Sequence, residues 1–324
     1  MTEPLSLPVF RKISRIVDGM GLRAYVIGGY VRDYYLCRPC TDIDVVVVGS
    51  GIDVAEALAR ETGSNVTVFK TFGTAMLRTE GMEVEFVGAR KESYSRDSRK
   101  PVVEAGTLRD DQLRRDFTIN ALAWSLNGDT FGELEDPFGG MEDMREHIIR
   151  TPCDPDITFS DDPLRMMRAV RFAAQLGFDI APETFEAIER NRERIRIVSR
   201  ERIITEINKI VLSPVPSIGF ELMDMTGLLP LVFPEMSRLK GVEKVGLHGH
   251  KDNFTHTLKV LDNVALNSDS LWLRWAAILH DIGKPATKAY DPAAGWTFHG
   301  HEVVGARMVP DIVRRMKLPL NDRM

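Results

Sequence analysis

The chain has 324 residues, 44% of them hydrophobic and 27% charged, which is typical of globular proteins and long enough for two or three domains. Its formal net charge of −5 excludes a globally basic nucleic-acid-binding protein, so any RNA contact must depend on local charge. Three cysteines do not make a disulfide framework, which favours a cytoplasmic location. With no signal peptide and no apolar run of membrane-spanning length, we expect no membrane association.

The first 145 residues predict a small mixed α/β domain. A helix is expected to end near residues 19–21, and a strand, Arg23–Ile27, then leads into a Gly-Gly turn and another helix. The continuous apolar run Val45–Val48 predicts a strand buried on both faces. Further strands are expected around the Glu80-Gly81 turn, and the polar segment 89–101 predicts a mobile loop. From about residue 155 the patterns are almost wholly helical.

An Asp-x-Asp pair stands at the start of the valine strand. Asp42 and Asp44 are two residues apart, so on a strand both side chains project from one face. Two such carboxylates repel each other unless a cation lies between them, and their hard oxygen ligands suit Mg²⁺. Just upstream, backbone N–H groups at Gly28 and Gly29 can bind phosphate oxygens, and Arg32 adds a guanidinium. A turn or capping role for the aspartates is the alternative.

Two glutamates on a later strand extend this pattern. Glu83 and Glu85 also share a strand face, and one of them would complete a cluster of three carboxylates; a solvated strand face is the alternative, above all for Glu83. Paired carboxylates beside a phosphate-binding turn predict two-metal phosphoryl or nucleotidyl transfer. No Walker-type glycine-rich motif is present, which excludes the P-loop route to this chemistry.

A second candidate site lies in the helical part, where Pro163 suits the first position of a helix with Asp162 as its N-cap. Three arginines follow at steps of three and are expected to share one broad face: Arg165, Arg168 and Arg171. A capped helix with a solvated basic stripe is the alternative. A carboxylate only accepts hydrogen bonds and a guanidinium only donates them, so Asp162 beside Arg165 would match cytosine and adenine and reject uracil and guanine.

Five motifs in a fixed order resemble the class II tRNA nucleotidyltransferase and bacterial poly(A) polymerase family. They are GGYVRD…DID, RRDFTINALAW, DPFGG, DDPLRMMRAVRFAAQLGF and ERIITEINKIV, and they cover residues 22–212. The resemblance implies an α+β fold with a nucleotidyltransferase head over 1–145, a helical neck over 146–213 and a helical region over 214–324. It also implies tRNA, ATP and CTP as ligands and Mg²⁺ held by Asp42 and Asp44. Glu85 would be the third carboxylate, and Arg115, Asp116 and Asn120 would contact the nucleotide.

The segment ILHDIGK resembles an HD domain, in which histidine and aspartate side chains bind divalent metals for phosphoester hydrolysis. The resemblance implies His256, His280 and Asp281 as ligands for a metal such as Mn²⁺, Ni²⁺ or Zn²⁺. His299 and His301 follow, and a helical domain without activity is the alternative. The HD pattern's last aspartate is not found before the sequence stops at KLPLNDRM, which predicts a missing C-terminal RNA-binding portion.

The sequence predicts an enzyme that adds or repairs the 3′ CCA end of tRNA. A poly(A) polymerase or an A-adding enzyme shares the same motifs and remains an alternative. So does an HD phosphohydrolase whose head only binds nucleotide, or an RNA-binding module without activity. Six arginines between residues 190 and 202 are candidates for contacts with RNA phosphates, although charge runs are commonly just solvated faces.

Overall fold

A computed structural model describes residues 4–95, 98–241, 244–245, 248–249 and 252–319. The chain divides into two compact units, Met1–Asp154 and Pro155–Met324, and each is treated by itself below. The prediction of a missing C-terminal portion rests on the sequence end KLPLNDRM. Residues 320–324 of that end lie outside the described part of the chain.

The first unit combines five helices with ten strands among its described residues. Its helices are α1 Pro8–Gly19, α2 Gly29–Tyr35, α3 Gly51–Thr62, α4 Leu108–Leu113 and α5 Gly140–Glu146. Its strands are β1 Arg23–Ile27, β2 Asp42–Val48, β3 Val66–Phe69, β4 Thr74–Thr79, β5 Met82–Gly88, β6 Arg90–Ser95, β7 Ser98–Ala105, β8 Ala123–Ser125, β9 Leu134–Glu135 and β10 Ile148–Ile149.

Seven of these strands form one sheet in the order β3-β4-β5-β2-β1-β8-β9. Five of its six pairings are antiparallel, and the pairing of β2 with β5 is parallel. The predicted mixed sheet with helices is therefore confirmed. Because β2 has a neighbour on each side and its central valines are fully buried, its continuous apolar run is that of an interior strand.

The predicted loop at 89–101 is wrong in its described part. Most of this segment belongs to an antiparallel hairpin of β6 and β7, with Arg90 opposite Ala105 and Glu92 opposite Val103. The polar composition of 89–101 concealed the first strand, while Val102 and Val103, which favour a strand, lie just beyond the segment considered. Residues 96–97 lie outside the described chain.

The second unit is mainly helical, as predicted. Its helices are α6 Pro155–Asp161, α7 Leu164–Leu176, α8 Pro182–Asn191, α9 Arg200–Val211, α10 Pro216–Met225, α11 Leu229–Val232, α12 Pro234–Ser237, α13 Asn253–Ala265, α14 Leu271–Leu279, α15 Lys284–Thr287 and α16 His301–Met316. Its short strands are β11 Asp179–Ile180, β12 Lys244–Val245, β13 His248–Gly249, β14 Ala289–Asp291 and β15 Gly295–Thr297.

Two details of this unit differ from the sequence patterns. β14 and β15 form an antiparallel hairpin inside the segment expected to be helical. Helix α7 begins at Leu164 with Pro163 just before it, one residue later than predicted, although Asp162 Oδ1 still accepts a hydrogen bond from the Leu164 N–H at 3.2 Å. Helix ends commonly differ by one residue according to where the first turn is counted.

No helix in the described ranges is both long enough and apolar enough to cross a membrane.

Candidate active site

Two carboxylates on each of two adjacent strands face one another across the one parallel pairing of the seven-stranded sheet. In its register Asp42 lies opposite Glu83, and Asp44 lies opposite Glu85. Residues paired across adjacent strands point to the same face of a sheet, and the strands run about 4.8 Å apart. The four acidic side chains therefore share one face near the same edge. Glu83 is turned to another partner, because its Oε2 lies 2.7 Å from Arg78 Nη2 on β4. Glu85 is therefore the better candidate for the third carboxylate.

The electrostatics of this face suit a cation. Burial raises the pKa of the Asp44 carboxyl; the nearby Arg115 opposes this rise, while the Asp42 charge adds to it. Burial likewise raises the pKa of Glu85, and the Asp44 charge raises it further. Carboxylates that are partly desolvated and destabilise each other's charge form an all-oxygen donor set that Mg²⁺ would stabilise.

Gly28 makes close contact with these side chains possible. Its φ of +82° lies in the left-handed region. A Cβ placed here would lie 2.8 Å from Arg115 Nη1 and 3.5 Å from Asp44 Oδ2, so any larger residue would collide with the guanidinium. The Gly28 N–H donates to the Leu122 carbonyl at 3.1 Å. That N–H is therefore engaged within the protein here, and contact of Gly28 and Gly29 with the triphosphate stays a prediction.

A hydrogen-bonded chain joins three of the predicted nucleotide-binding residues. Arg32 Nη1 donates to Asn120 Oδ1 at 2.7 Å, and Asn120 Nδ2 donates to Asp116 Oδ1 at 3.0 Å. Arg32 is only 9% exposed, and Asp33 binds its guanidinium through both carboxylate oxygens at 2.9 Å. These contacts fix the orientation of Asn120, which links the buried Arg32 to Asp116.

Asp111 is a participant that the sequence patterns missed. Its fully buried carboxylate accepts from Arg114 Nε at 3.0 Å and from Arg115 Nε at 3.3 Å. This pairing holds Arg115 where its Nη1 reaches the Asn120 carbonyl at 3.4 Å. The Arg115 charge lowers the pKa of Asp44, whereas the Asp111 charge raises it. The signal was present in the sequence, since acid and base are three and four residues apart around the end of a helix.

In the second unit, Asp162 and Arg165 are one turn apart at the start of α7. Asp162 Oδ2 lies 2.8 Å from Arg202 Nη2 of α9, and the Arg165 N–H donates to the Asp162 carbonyl at 3.0 Å. The ion pair ties the carboxylate to α9 and so restricts its rotamers. In the sequence Arg202 stands out only as part of a basic run, because its contact with Asp162, forty residues away, leaves no local pattern.

Arg171 is buried, which excludes the alternative of a solvated basic stripe for this residue. It is 6% exposed, its Nε donates to the buried Glu206 of α9, and its Nη1 donates to Gln175 at 2.8 Å. The guanidinium also stacks on Phe172 at 3.8 Å. The amphipathic pattern did not separate this residue from Arg165 and Arg168, which stay partly exposed. Burial against Glu206 favours a role in joining α7 to α9 over the predicted nucleotide contact.

The histidine cluster of the second unit comes together as the sequence predicted. Ligand atoms of His256, His280 and Asp281 all lie within 4.8 Å of one another, and no other trio of potential metal ligands in the described chain does so. His301 is a fourth member that had not been assigned, with Nε2 at 3.4 Å from Asp281 Oδ1. It opens α16, twenty residues after Asp281, a separation that gives no local signal.

Backbone carbonyls orient two of these imidazoles. His280 Nδ1 lies 2.7 Å from the Ala277 carbonyl, and His301 Nδ1 lies 2.9 Å from the Phe298 carbonyl. A carbonyl can only accept, so each Nδ1 donates to it, and each Nε2 is the ring nitrogen that faces Asp281. This is the arrangement of metal-binding histidines, and the donor set fits a transition metal. In the described structure Lys284 Nζ contacts Asp281 at 2.5 Å.

We predict that Asp44→Asn makes the metal-free protein more stable at neutral pH. Because the folded state raises the pKa of Asp44, folding is opposed above that raised value by an ionised, desolvated carboxylate. The cost disappears as the pH falls below the carboxyl's ordinary value, so the two proteins should converge in acid. Urea unfolding in EDTA across pH measures this. Glu56→Gln, which removes an exposed carboxylate on α3, is the control. A variant less stable than wild type at neutral pH would contradict a destabilising charge on Asp44.

Comparison with known proteins places both units in families. Residues 24–150 match the family described as the poly A polymerase head domain. Residues 177–240 match the probable RNA- and SrmB-binding site of polymerase A, and residues 253–322 match the HD domain.

Curated relatives extend the match over nearly the whole chain. The multifunctional CCA protein of Pseudomonas fluorescens strain Pf-5 is 36% identical over 311 residues, which is 92% of this chain and 71% of the relative. An A-adding tRNA nucleotidyltransferase of Aquifex aeolicus is 43% identical over 188 residues, 57% of this chain and 23% of the relative.

A solved tRNA nucleotidyltransferase, complexed with a primer tRNA and an incoming ATP analogue, superposes with a TM-score of 0.62. It is 26% identical and covers 95% of this chain and 100% of its own. The chain belongs to the family of CCA-adding tRNA nucleotidyltransferases, within the wider group that shares the poly(A) polymerase head domain.

Proposed function

We propose that this chain adds or repairs the 3′ CCA end of tRNA, using CTP and ATP and releasing pyrophosphate. The observation that carries the proposal is the register of β2 and β5, which sets Glu85 beside Asp44 and Asp42 on one sheet face. The relatives support it, since the Pseudomonas fluorescens protein that matches 92% of this chain is named for CCA. Free cysteines and a tRNA substrate support a cytoplasmic location.

In the proposed reaction the RNA 3′ hydroxyl oxygen bonds to the α-phosphorus of the nucleotide. The bond from that phosphorus to pyrophosphate breaks, and the hydroxyl proton is released. Mg²⁺ bound by Asp42, Asp44 and Glu85 would activate the hydroxyl and neutralise charge on the phosphates. Arg115, held by Asp111, places a fixed positive charge beside these carboxylates. Such fixed charges lower the barrier because they need no reorganisation during the reaction.

Base selection would fall to Asp162 and Arg165, with Arg168 beside them. Asp162 accepts from the exocyclic amino group of cytosine or adenine, and Arg165 donates to the adjacent ring nitrogen. Each carboxylate oxygen has more than one lone pair, so the contacts of Asp162 with Arg202 and with the Leu164 N–H leave it able to accept from a base. The ion pair with Arg202 would hold the carboxylate in the orientation that reads the base.

Extension of three tRNA transcripts, ending before CCA, after C and after CC, tests this function. With Mg²⁺ and one nucleotide at a time, we expect two C additions to the first, one C to the second and one A to the third, with UTP and GTP refused. Addition of A only to the CC-ended transcript would indicate an A-adding enzyme instead. Long A tails would indicate a poly(A) polymerase.

Asp162→Asn provides the matched variant for that assay. An amide can turn to donate as well as accept, so the preference for CTP over UTP should fall by about tenfold or more. Asp179→Asn, an exposed aspartate of the same unit, serves as control and should keep the wild-type preference. An unchanged preference in Asp162→Asn would remove this residue from base selection.

We propose a second activity, metal-dependent phosphoester hydrolysis, at the histidine cluster. The specific observation is the convergence of His256, His280 and Asp281, with His301 adding a fourth side chain and a third nitrogen. In hydrolysis, water oxygen bonds to phosphorus while the bond from phosphorus to the ester oxygen breaks, which yields phosphate and an alcohol. A bound metal such as Mn²⁺, Ni²⁺ or Zn²⁺ would lower the pKa of that water. The division of the chain into a head over 1–145, a neck over 146–213 and an HD region over 214–324 is part of the proposal.

His280→Ala should abolish this hydrolysis and leave nucleotide addition intact. We expect p-nitrophenyl phosphate turnover with Mn²⁺ or Ni²⁺ in wild type, loss after chelation, and a loss of about a hundredfold in the variant, because the Nε2 ligand is gone. His147→Ala, a histidine of the first unit, is the control. Turnover that survives His280→Ala would show that another site hydrolyses the ester.

A further inference from the structure

The hairpin of β14 and β15 carries an aromatic and cationic face in the otherwise helical second unit. Tyr290 and Trp296 lie opposite each other across the two strands, with ring centroids 5.3 Å apart in an edge-to-face arrangement. Lys288 Nζ stands 4.6 Å from the Trp296 ring centroid. Asp291 Oδ1 accepts from the Ala293 and Ala294 N–H groups at 2.7 and 2.9 Å, which fixes the turn.

This face is continuous with the histidine cluster. β15 ends at Thr297, and the carbonyl of the next residue, Phe298, accepts the hydrogen bond that orients His301. The Phe298 ring lies 5.8 Å from Lys284 Nζ, whose ammonium contacts Asp281. Two residues of extended chain span at most about 7 Å, so the Cα atoms of Trp296 and Phe298 lie within that distance of each other.

The composition of the face indicates its ligand. All three residues of β14 are exposed, and 36% of the Tyr290 surface remains accessible although its ring packs against Trp296. Accessible aromatic rings with lysines beside them are what proteins use to bind single-stranded nucleic acid, since bases stack on the rings and phosphates meet the cations. A protein partner would favour an apolar surface with fewer charges at its centre.

We propose that this hairpin binds the last nucleotides of a single-stranded RNA and delivers their terminal phosphate to the histidine cluster. A base stacks on Tyr290, Lys288 neutralises a backbone phosphate, and the RNA end runs past Phe298 towards Lys284 and Asp281. This inference rests on the proposed hydrolysis, which gives the RNA binding its purpose. Binding of RNA to the hairpin can be measured without any hydrolysis. A cross-strand aromatic pair that only stabilises the hairpin is the competing explanation.

The test is the affinity of the full chain for a labelled four-nucleotide RNA with a 3′ phosphate, measured by fluorescence anisotropy in EDTA. Stacking predicts that Tyr290→Leu, which keeps apolar packing but has no ring, weakens binding by about tenfold or more, while Tyr290→Phe binds like wild type. Lys288→Gln should weaken binding and make it less dependent on salt. Lys259→Gln, an exposed lysine on α13, is the matched control and should bind like wild type.

A photocrosslinkable uridine at the RNA end locates the contact. Crosslinks within residues 289–297 support the proposal, whereas equal affinity of Tyr290→Leu and wild type would overturn it. Competition by free uridine 3′-monophosphate as strong as by the RNA would overturn the assignment to an RNA end. If wild type binds through the hairpin but hydrolyses no phosphoester with any metal, the proposed hydrolysis fails and the binding site stands.

Discussion

The parallel pairing of β2 with β5 is the constraint on which the candidate active site depends. Parallel strands begin at the same edge of a sheet, so acidic residues near the start of each strand lie on neighbouring strands there without any long loop to position them. The one-to-one register places Asp44 beside Glu85. A slip of one residue would turn Glu85 to the opposite face, where Val84 and Phe86 are now buried. The apolar residues of both strands therefore fix the geometry of the carboxylates.

Burial gives this arrangement its electrostatic character. The core that fixes the register also desolvates Asp44, so its carboxyl and that of Glu85 have raised pKa values. The fold supplies a compensating positive charge through Arg115, whose Nε donates a hydrogen bond to Asp111. Gly28 leaves the space in which the guanidinium approaches. A chain with a net negative charge can thus bind anionic substrates, because its cations are positioned individually.

Much of this was predictable from local sequence, whereas the contacts between residues distant in the chain were not. The spacing of two between Asp42 and Asp44 defines one face of a strand, and the valine run defines an interior strand. The partner of Asp44 is forty-one residues away, however, and strand register over that distance is set by tertiary packing. For the same reason the burial of Arg171 against Glu206, the pairing of Asp162 with Arg202 and the approach of His301 to Asp281 had no local signature.

The dependence of single-turnover cytidine addition on Mg²⁺ concentration tests the central claim most directly. Glu83 and Glu85 differ by two positions on one strand, share one face and have the same chemistry, but Glu83 is paired with Arg78. The account predicts that Glu85→Gln raises the Mg²⁺ concentration needed for half-maximal rate by about tenfold or more, while Glu83→Gln changes it little. Equal responses of the two variants would contradict a metal site built on the pairing of Asp44 with Glu85.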